Sequence, residues 1–167
     1  MKRTHLERIR YICQAGIVAA LYTVLTLLAG AFGLANGAIQ LRVSEALCIL
    51  PVLFPAAIPG LTLGCLISNL VLGSLWQDVL FGSLATLVGA IGAHLLRRHP
   101  YLAPIPTVLS NTLIIPPVLA FAYHAEGGLP YLMLTVGLGE ILSAYLLGIA
   151  LLLALRRRGG QFTDGNH

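Results

Sequence analysis

The chain has 167 residues, of which 57% are hydrophobic and 10% are charged, and its net charge is +4 at pH 7. A soluble domain usually carries about 25% charged residues, so this composition excludes a protein that solvates its whole surface and predicts an integral membrane protein. The positive charge does not indicate a nucleic-acid partner, because the basic residues lie beside apolar segments, where they act as topology signals.

The first apolar segment, residues 11–35, follows a basic amino terminus. It is longer than the roughly 7 to 15 apolar residues of a secretory signal peptide, and further apolar segments follow it. We therefore predict a retained first transmembrane helix. Small residues recur in it at the spacing that allows close helix packing, both at Ala15 and Ala19 and at Gly16 and Ala20.

The second apolar segment, residues 46–73, is ambiguous because it contains no charge but three prolines spaced four residues apart. Proline removes an amide donor and clashes with the preceding turn, so the stretch "FPAAIPG" predicts two helices with a turn near residues 55–60. Residues 46–54 alone would give only about 14 Å of α-helix. The second helix is therefore expected to begin earlier, near Arg42, or to be short and shielded by its neighbours.

Three further apolar segments lie at residues 79–96, 105–123 and 132–155. Each is close to the roughly 20 residues that a spanning helix needs. Basic clusters follow two of them, at residues 97–98 and 156–158. These clusters share one side with the basic amino terminus only if the second segment forms two helices, and basic clusters favour the cytoplasm.

The predicted fold is thus an all-α bundle of six transmembrane helices with both termini in the cytoplasm. We assign residues 1–10 to a basic amino terminus, residues 11–155 to the membrane domain and residues 156–167 to a basic, polar tail. The predicted location is the plasma membrane, as a multi-pass protein.

Ionisable side chains inside membrane segments mark candidate functional residues, because each costs about 2.5 to 3.5 kcal/mol at a helix centre. Glu140 is the strongest candidate, since it lies deep in the sixth helix, which contains no basic residue to neutralise it. The other residues expected around a polar cavity open to the outside are Arg42, Glu45, Asn69, Trp76, Asp78, Asn111 and Ser143. Three carboxylates against one arginine favour a cation or a heterocycle rich in hydrogen-bond donors.

Structural roles are open for most of these residues. Arg42 and Glu45 are three residues apart and could pair along one helix face. Asp78 could cap its helix, because a carboxylate accepts from free amide donors. Asn69 and Asn111 could bind neighbouring helices, and the tryptophan could belong to an interfacial belt.

Motifs of several enzyme classes do not occur in the sequence. It contains no Gly-x-x-x-x-Gly-Lys-Ser/Thr loop, His-Glu-x-x-His motif or Gly-x-Ser-x-Gly motif. The three cysteines have no metal-ligand spacing, so neither a metal site nor a disulfide frame is predicted. We expect no cofactor and no enzymatic activity. A secondary carrier is the main alternative, and a membrane enzyme with Asp78 and Glu140 as acid and base is a third.

Four long stretches resemble one protein family. They are "LRVSEALCILPVLFPAAIPGLTLGCLISNL", "DVLFGSLATLVGA", "LSNTLIIPPVLAFAY" and "LPYLMLTVGLGEILS". In this order they are similar to the QueT family, the substrate-binding S components of energy-coupling-factor (ECF) transporters for queuosine precursors. The resemblance covers residues 15–155.

The resemblance implies an S-component bundle that captures substrate from outside, with the loop between the first two helices as a lid. It also implies a transmembrane coupling subunit and two ATPase subunits as partners. Ala15 and Ala19 match the small-residue face that docks the coupling subunit in related proteins.

The implied ligand is a 7-deazaguanine carrying a cyano or aminomethyl group, or the base queuine. One carboxylate can accept two adjacent N–H groups of a guanine edge, and an aminomethyl ammonium needs another acid. We predict that Glu140 binds the guanine edge and that Asp78 or Glu45 binds the ammonium. The groups expected to meet the carbonyl and the ring nitrogen, or to stack on the base, are Asn69, Asn111 and Trp76.

Overall fold

A computed structural model describes residues 5–32 and 42–163, with side chains as far as residue 157. The described residues form helices joined by short turns and contain no strand, which confirms the all-helical fold. In chain order the elements are α1 (His5–Ala31), a 3₁₀ helix (Val43–Val52), α2 (Ala57–Val71), α3 (Trp76–Leu95), α4 (Ile105–Phe121), α5 (Gly128–Glu140), a π-helix (Ile141–Leu147) and α6 (Gly148–Thr163). The last three elements continue directly into one another as one long helix. The described residues therefore form six separate helical segments, which we call rods. The expected lid falls at residues 33–41, outside the described residues.

The ambiguous second segment folds as two helices, as its prolines predict. The turn lies at residues 53–56, slightly earlier than expected, and Pro59 lies in the first turn of α2. A proline is tolerated there because the first amide groups of a helix have no partner within the helix. The preceding 3₁₀ helix has 10 residues, and a rise of about 2.0 Å per residue makes it about 20 Å long. It begins next to Arg42, as the first of the two expectations for this segment has it. Its residues 44–51 are buried, so it is also shielded by its neighbours, as the second has it.

Close contact between α1 and α2 depends on two glycines. A Cβ atom at Gly60 would lie 2.7 Å from the carbonyl oxygen of Ala15, and one at Gly64 would lie 2.9 Å from that of Ala19. The two helices therefore run in the same direction with their backbones nearly touching. Ala15 and Ala19 are buried in this contact. A coupling subunit could reach them only if α2 moved away from α1.

The next rods also show their direction through specific contacts. Ser110 Oγ of α4 donates to the carbonyl oxygen of Ala85 in α3 at 2.9 Å. One turn away, a Cβ at Gly89 of α3 would lie 2.7 Å from Thr107 Oγ1 of α4. Later positions of one helix thus face earlier positions of the other, and α3 and α4 are antiparallel.

Basic residues collect at one end of the bundle. His94 near the end of α3 donates through Nδ1 to the carbonyl oxygen of Pro51, at the end of the 3₁₀ helix, at 2.7 Å. Leu152 of α6 packs in the same region, against Ala93 and Ala103. We name this the basic end, and its exposed arginines are Arg8, Arg10, Arg97, Arg98, Arg156 and Arg157. The opposite end, where α1, α2 and α4 finish and α3 begins, is named the cavity end.

Three of the helices among the described residues are long and apolar enough to cross a membrane. They are α1, α3 and the continuous helix Gly128–Arg157. Large apolar side chains such as Ile17, Val88 and Leu134 are exposed on them. The protein is therefore a membrane protein, as its composition predicts.

Candidate functional site

A cavity of about 850 Å³ lies at the cavity end. It is lined by the last turns of α1, α2 and α4, by the first turn of α3 and by the turns that join them. Its volume falls in the range of about 300 to 1,000 Å³ that is typical of small-molecule sites. The polar residues in its lining are Thr26, Arg42, Asn69, Ser74, Asp78 and Tyr123.

Asp78 lines this cavity, and only one of its carboxylate oxygens is hydrogen-bonded among the described residues. It lies in the first turn of α3 and is only 6% exposed. Its Oδ2 atom accepts a hydrogen bond from the hydroxyl of Tyr123 at 3.3 Å. Its Oδ1 atom is buried and has no hydrogen-bond partner among the described residues. The amino end of α3 favours negative charge at this position, so Asp78 can serve as an acceptor for an incoming donor.

Asn69 and Asp78 both lie near Gly82 of α3. Its Nδ2 atom makes one weak hydrogen bond, to Cys65 Sγ at 3.6 Å. A Cβ atom at Gly82 would lie 3.2 Å from this Nδ2 and 3.7 Å from Asp78 Oδ1. Gly82 thus lies close to both an amide donor and a carboxylate acceptor, and a side chain at this position would contact both.

Glu140 lies beside a much smaller hollow. This hollow, of about 10 Å³, is lined by Arg42, Asn111 and Glu140 together with two apolar residues of α4 and α5. A space of this size holds about one water molecule. Glu140 is 7% exposed, and its Oε2 atom has no hydrogen-bond partner among the described residues. Arg42 lines both spaces, and Glu140 lines only the small hollow.

The π-helix begins directly after Glu140 and carries Ser143. This serine is 1% exposed and its hydroxyl has no hydrogen-bond partner among residues 5–32 and 42–163. It does not line the cavity or the hollow. Short π-helical segments are frequent at functional sites, and this one follows the deepest predicted acid.

Glu45 is satisfied inside the protein. It is 1% exposed, and its two carboxylate oxygens accept hydrogen bonds from the hydroxyl of Tyr22 and, at 3.1 Å, from the thiol of Cys48. It lines neither the cavity nor the hollow. Its contacts connect the 3₁₀ helix to α1.

The predicted residues therefore lie in four different surroundings, and Arg42 belongs to two of them. The structure brings Arg42, Asn69 and Asp78 to the large cavity, and Arg42, Asn111 and Glu140 to the small hollow. Glu45 and Ser143 are buried and line neither space. Trp76 is 68% exposed at the start of α3 and does not line the cavity.

Comparison with known proteins decides the family. A model of the QueT transporter family matches residues 12–157. The chain belongs to the QueT transporter family. This confirms the resemblance found in the sequence.

One curated relative in this family is the queuosine precursor transporter QueT of Lactococcus lactis subsp. cremoris (strain MG1363). It is 46% identical over 72 residues, which cover 43% of this chain and 42% of the relative. The alignment thus spans less than half of either protein. No solved structure matches the chain significantly.

Within this QueT family member, sequence reasoning missed Tyr123, Thr26 and Gly82. The hydroxyl of Tyr123 holds Asp78, Thr26 lines the cavity, and Gly82 lies under the polar pair. The candidates chosen from the sequence were mainly ionisable and amide side chains, because burying such groups in a membrane costs free energy. A tyrosine or threonine carries no such signal. The described residues contain no group of three or more His, Cys, Asp or Glu side chains that could hold a metal ion.

Proposed function

We propose that the protein is the substrate-binding S component of an ECF importer, and that it captures a queuosine precursor from outside the cell. A transmembrane coupling subunit and two ATPase subunits would then drive uptake. Membership of the QueT family supports the transport role, and the name of the Lactococcus lactis relative, a queuosine precursor transporter, supports the substrate class. The observation that carries the proposal is a cavity of about 850 Å³ whose lining includes Asp78, a carboxylate with one buried oxygen that has no hydrogen-bond partner among the described residues.

We further propose six membrane passes in the plasma membrane with both termini in the cytoplasm. The six rods and the collection of arginines at the basic end support this topology, because basic residues favour the cytoplasmic side. The cavity end then opens to the outside. A ligand from the medium would enter between the ends of α1, α2 and α4. The shorter rods would be shielded from lipid by their neighbours.

The proposed ligand is a 7-deazaguanine base: 7-aminomethyl-7-deazaguanine, its 7-cyano form or queuine. We propose Glu140 for the adjacent N–H donors of the guanine edge and Asp78 for a donor on the 7-substituent, since a carboxylate accepts such donors strongly. Asn69 and Asn111 are proposed for the ring carbonyl and nitrogen. Arg42 lines both the cavity and the hollow, and the hollow holds only about one water molecule, so the protein must open the hollow before a ligand in the cavity contacts Glu140.

Direct titration tests this proposal. The purified protein in detergent is titrated with the three 7-deazaguanines and with guanine, which shares the pyrimidinone edge but lacks the 7-substituent. We expect saturable binding of at least one 7-deazaguanine and weaker binding of guanine. Equal, non-saturable responses to all four bases would contradict the substrate assignment.

Reconstitution separates the S component from a secondary carrier, which the buried acids Asp78 and Glu140 make the main alternative. In proteoliposomes the protein alone should bind labelled ligand without accumulating it, with or without a proton or sodium gradient. Addition of a coupling subunit with its ATPases and ATP should produce uptake. Gradient-driven uptake by the protein alone would instead show a carrier.

A further inference from the structure

The hydroxyl of Tyr123 connects three parts of the cavity wall. Tyr123 lies in the turn between α4 and α5, and its hydroxyl accepts a hydrogen bond from the backbone N–H of Leu75 at 3.1 Å. The same hydroxyl donates to Asp78 Oδ2 at 3.3 Å. Leu75 is the N-cap residue of α3, and Asp78 follows three residues later. The tyrosine therefore lies between two groups that are neighbours at a helix start.

This arrangement differs from the usual contact at such a position. In a capping box, the acidic side chain three residues after the N-cap accepts the N-cap backbone N–H directly. Here Asp78 occupies that position, but the N–H of Leu75 donates to the tyrosine hydroxyl, and this hydroxyl donates its own hydrogen bond to the carboxylate. One oxygen of Asp78 is held in this way. The other, Oδ1, has no partner among the described residues.

We propose that Tyr123 is a positioning residue of the binding site. By taking the N-cap N–H of Leu75, it prevents Asp78 from folding back onto its own helix and keeps the carboxylate at the cavity wall. The assignment rests on the proposed function, because it concerns the affinity of that same cavity for its ligand. Tyr123 acts through Asp78, and its hydroxyl has no spare proton to give to a ligand.

The variant Tyr123→Phe removes the hydroxyl and keeps the ring. Asp78 is then expected to accept the Leu75 N–H directly, as in an ordinary capping box, so the melting temperature should stay close to that of the wild type. Affinity for 7-aminomethyl-7-deazaguanine or queuine, whose 7-substituents carry an N–H donor for Asp78, should fall about 3- to 10-fold, the range of one hydrogen bond. Tyr101→Phe is the matched control, since Tyr101 is exposed after α3, at the basic end.

A double-mutant cycle separates positioning from general packing. Asp78→Asn alone should weaken binding more than the tyrosine variant, by about 10- to 100-fold. Adding Tyr123→Phe to Asp78→Asn should cause little further loss, because the tyrosine then has no carboxylate to orient. A structure of the Tyr123→Phe variant should show the Asp78 carboxylate bonded to the Leu75 N–H.

The outcomes are distinct. Unchanged affinity in Tyr123→Phe overturns the inference while leaving the proposed function intact. The inference is also overturned by a lower melting temperature together with the same fold-loss in the Asp78→Asn background, since that pattern shows a packing role. If the wild type binds none of the three bases, the proposed function fails first, and the role of Tyr123 in it falls with it.

Discussion

Asp78 and Glu45 are both buried carboxylates, with 6% and 1% of their surface exposed, yet their hydrogen-bond partners differ. Both oxygens of Glu45 accept hydrogen bonds from the protein, one from Tyr22 and one from Cys48. Asp78 has one oxygen held by Tyr123 and one without a partner among the described residues, at the wall of the large cavity. Buried polar atoms in folded proteins are nearly always hydrogen-bonded. We therefore take the oxygen without a partner, rather than burial itself, as the feature that favours Asp78 over Glu45 as the proposed ligand acceptor.

The same comparison places Glu140 with Asp78. Its Oε2 atom is buried and unpaired among the described residues, as Asp78 Oδ1 is. The two acids differ in access, because Glu140 faces a hollow of about 10 Å³ and Asp78 a cavity of about 850 Å³. Arg42 borders both spaces. One acid therefore lines the large cavity, the other lines the small hollow, and the arginine is common to both linings.

The largest expected effect is on stability, in Glu45→Ala. Removal of this carboxylate leaves the Tyr22 hydroxyl and the Cys48 thiol without their partner in a buried place, and unsatisfied groups cost about 1 to 3 kcal/mol each. We expect a loss of about 3 kcal/mol and a clearly lower melting temperature in detergent. Ligand affinity of the folded fraction should stay near that of the wild type. A variant of normal stability with lost affinity would reverse the distinction between Glu45 and Asp78.

The next effect is on binding, in Glu140→Gln. The amide keeps the size of the side chain but cannot accept two N–H donors as a carboxylate does, so affinity should fall about 10- to 100-fold. The melting temperature should be unchanged or higher, because the variant removes a carboxylate from an apolar interior. Titration with the 7-deazaguanine that binds the wild type provides the measurement. Unchanged affinity would remove Glu140 from the binding site and leave Asp78 as the acid of the cavity.

The sequence predicted much of this arrangement because its strongest signals are local. Prolines showed that residues 46–73 form two helices, since a proline disrupts its own turn whatever surrounds it. A count of costly residues in apolar segments led to Arg42, Asn69 and Asp78, which line the cavity together. The family could also be recognised from the sequence, because four long motifs occur in the order that is typical of the family.

The rest depends on contacts between distant residues. Ala15 and Ala19 alternate with Gly16 and Ala20 on neighbouring faces of α1, and only the position of α2 decides that the first pair is buried. The 3₁₀ and π geometries arise from packing and leave no periodic signal of their own. Tyr123 reaches Leu75 across 48 positions of the chain. No local pattern predicts such a contact.

The smallest expected effect comes from adding one methyl group beneath the polar pair, in Gly82→Ala. The new Cβ would lie 3.2 Å from Asn69 Nδ2, so the amide must shift by a few tenths of an ångström away from its place beside Asp78. Gly16→Ala is the matched control, because a Cβ there meets nothing within 4 Å and the residue is exposed. Both substitutions favour their helices by up to about 1 kcal/mol, so a change in melting temperature should be shared. Affinity should fall about threefold in Gly82→Ala alone, the lower range of one weakened hydrogen bond. Equal affinities in the two variants would mean that Asn69 and Asp78 do not contact the ligand as a pair, and that Asp78 acts without the neighbouring amide.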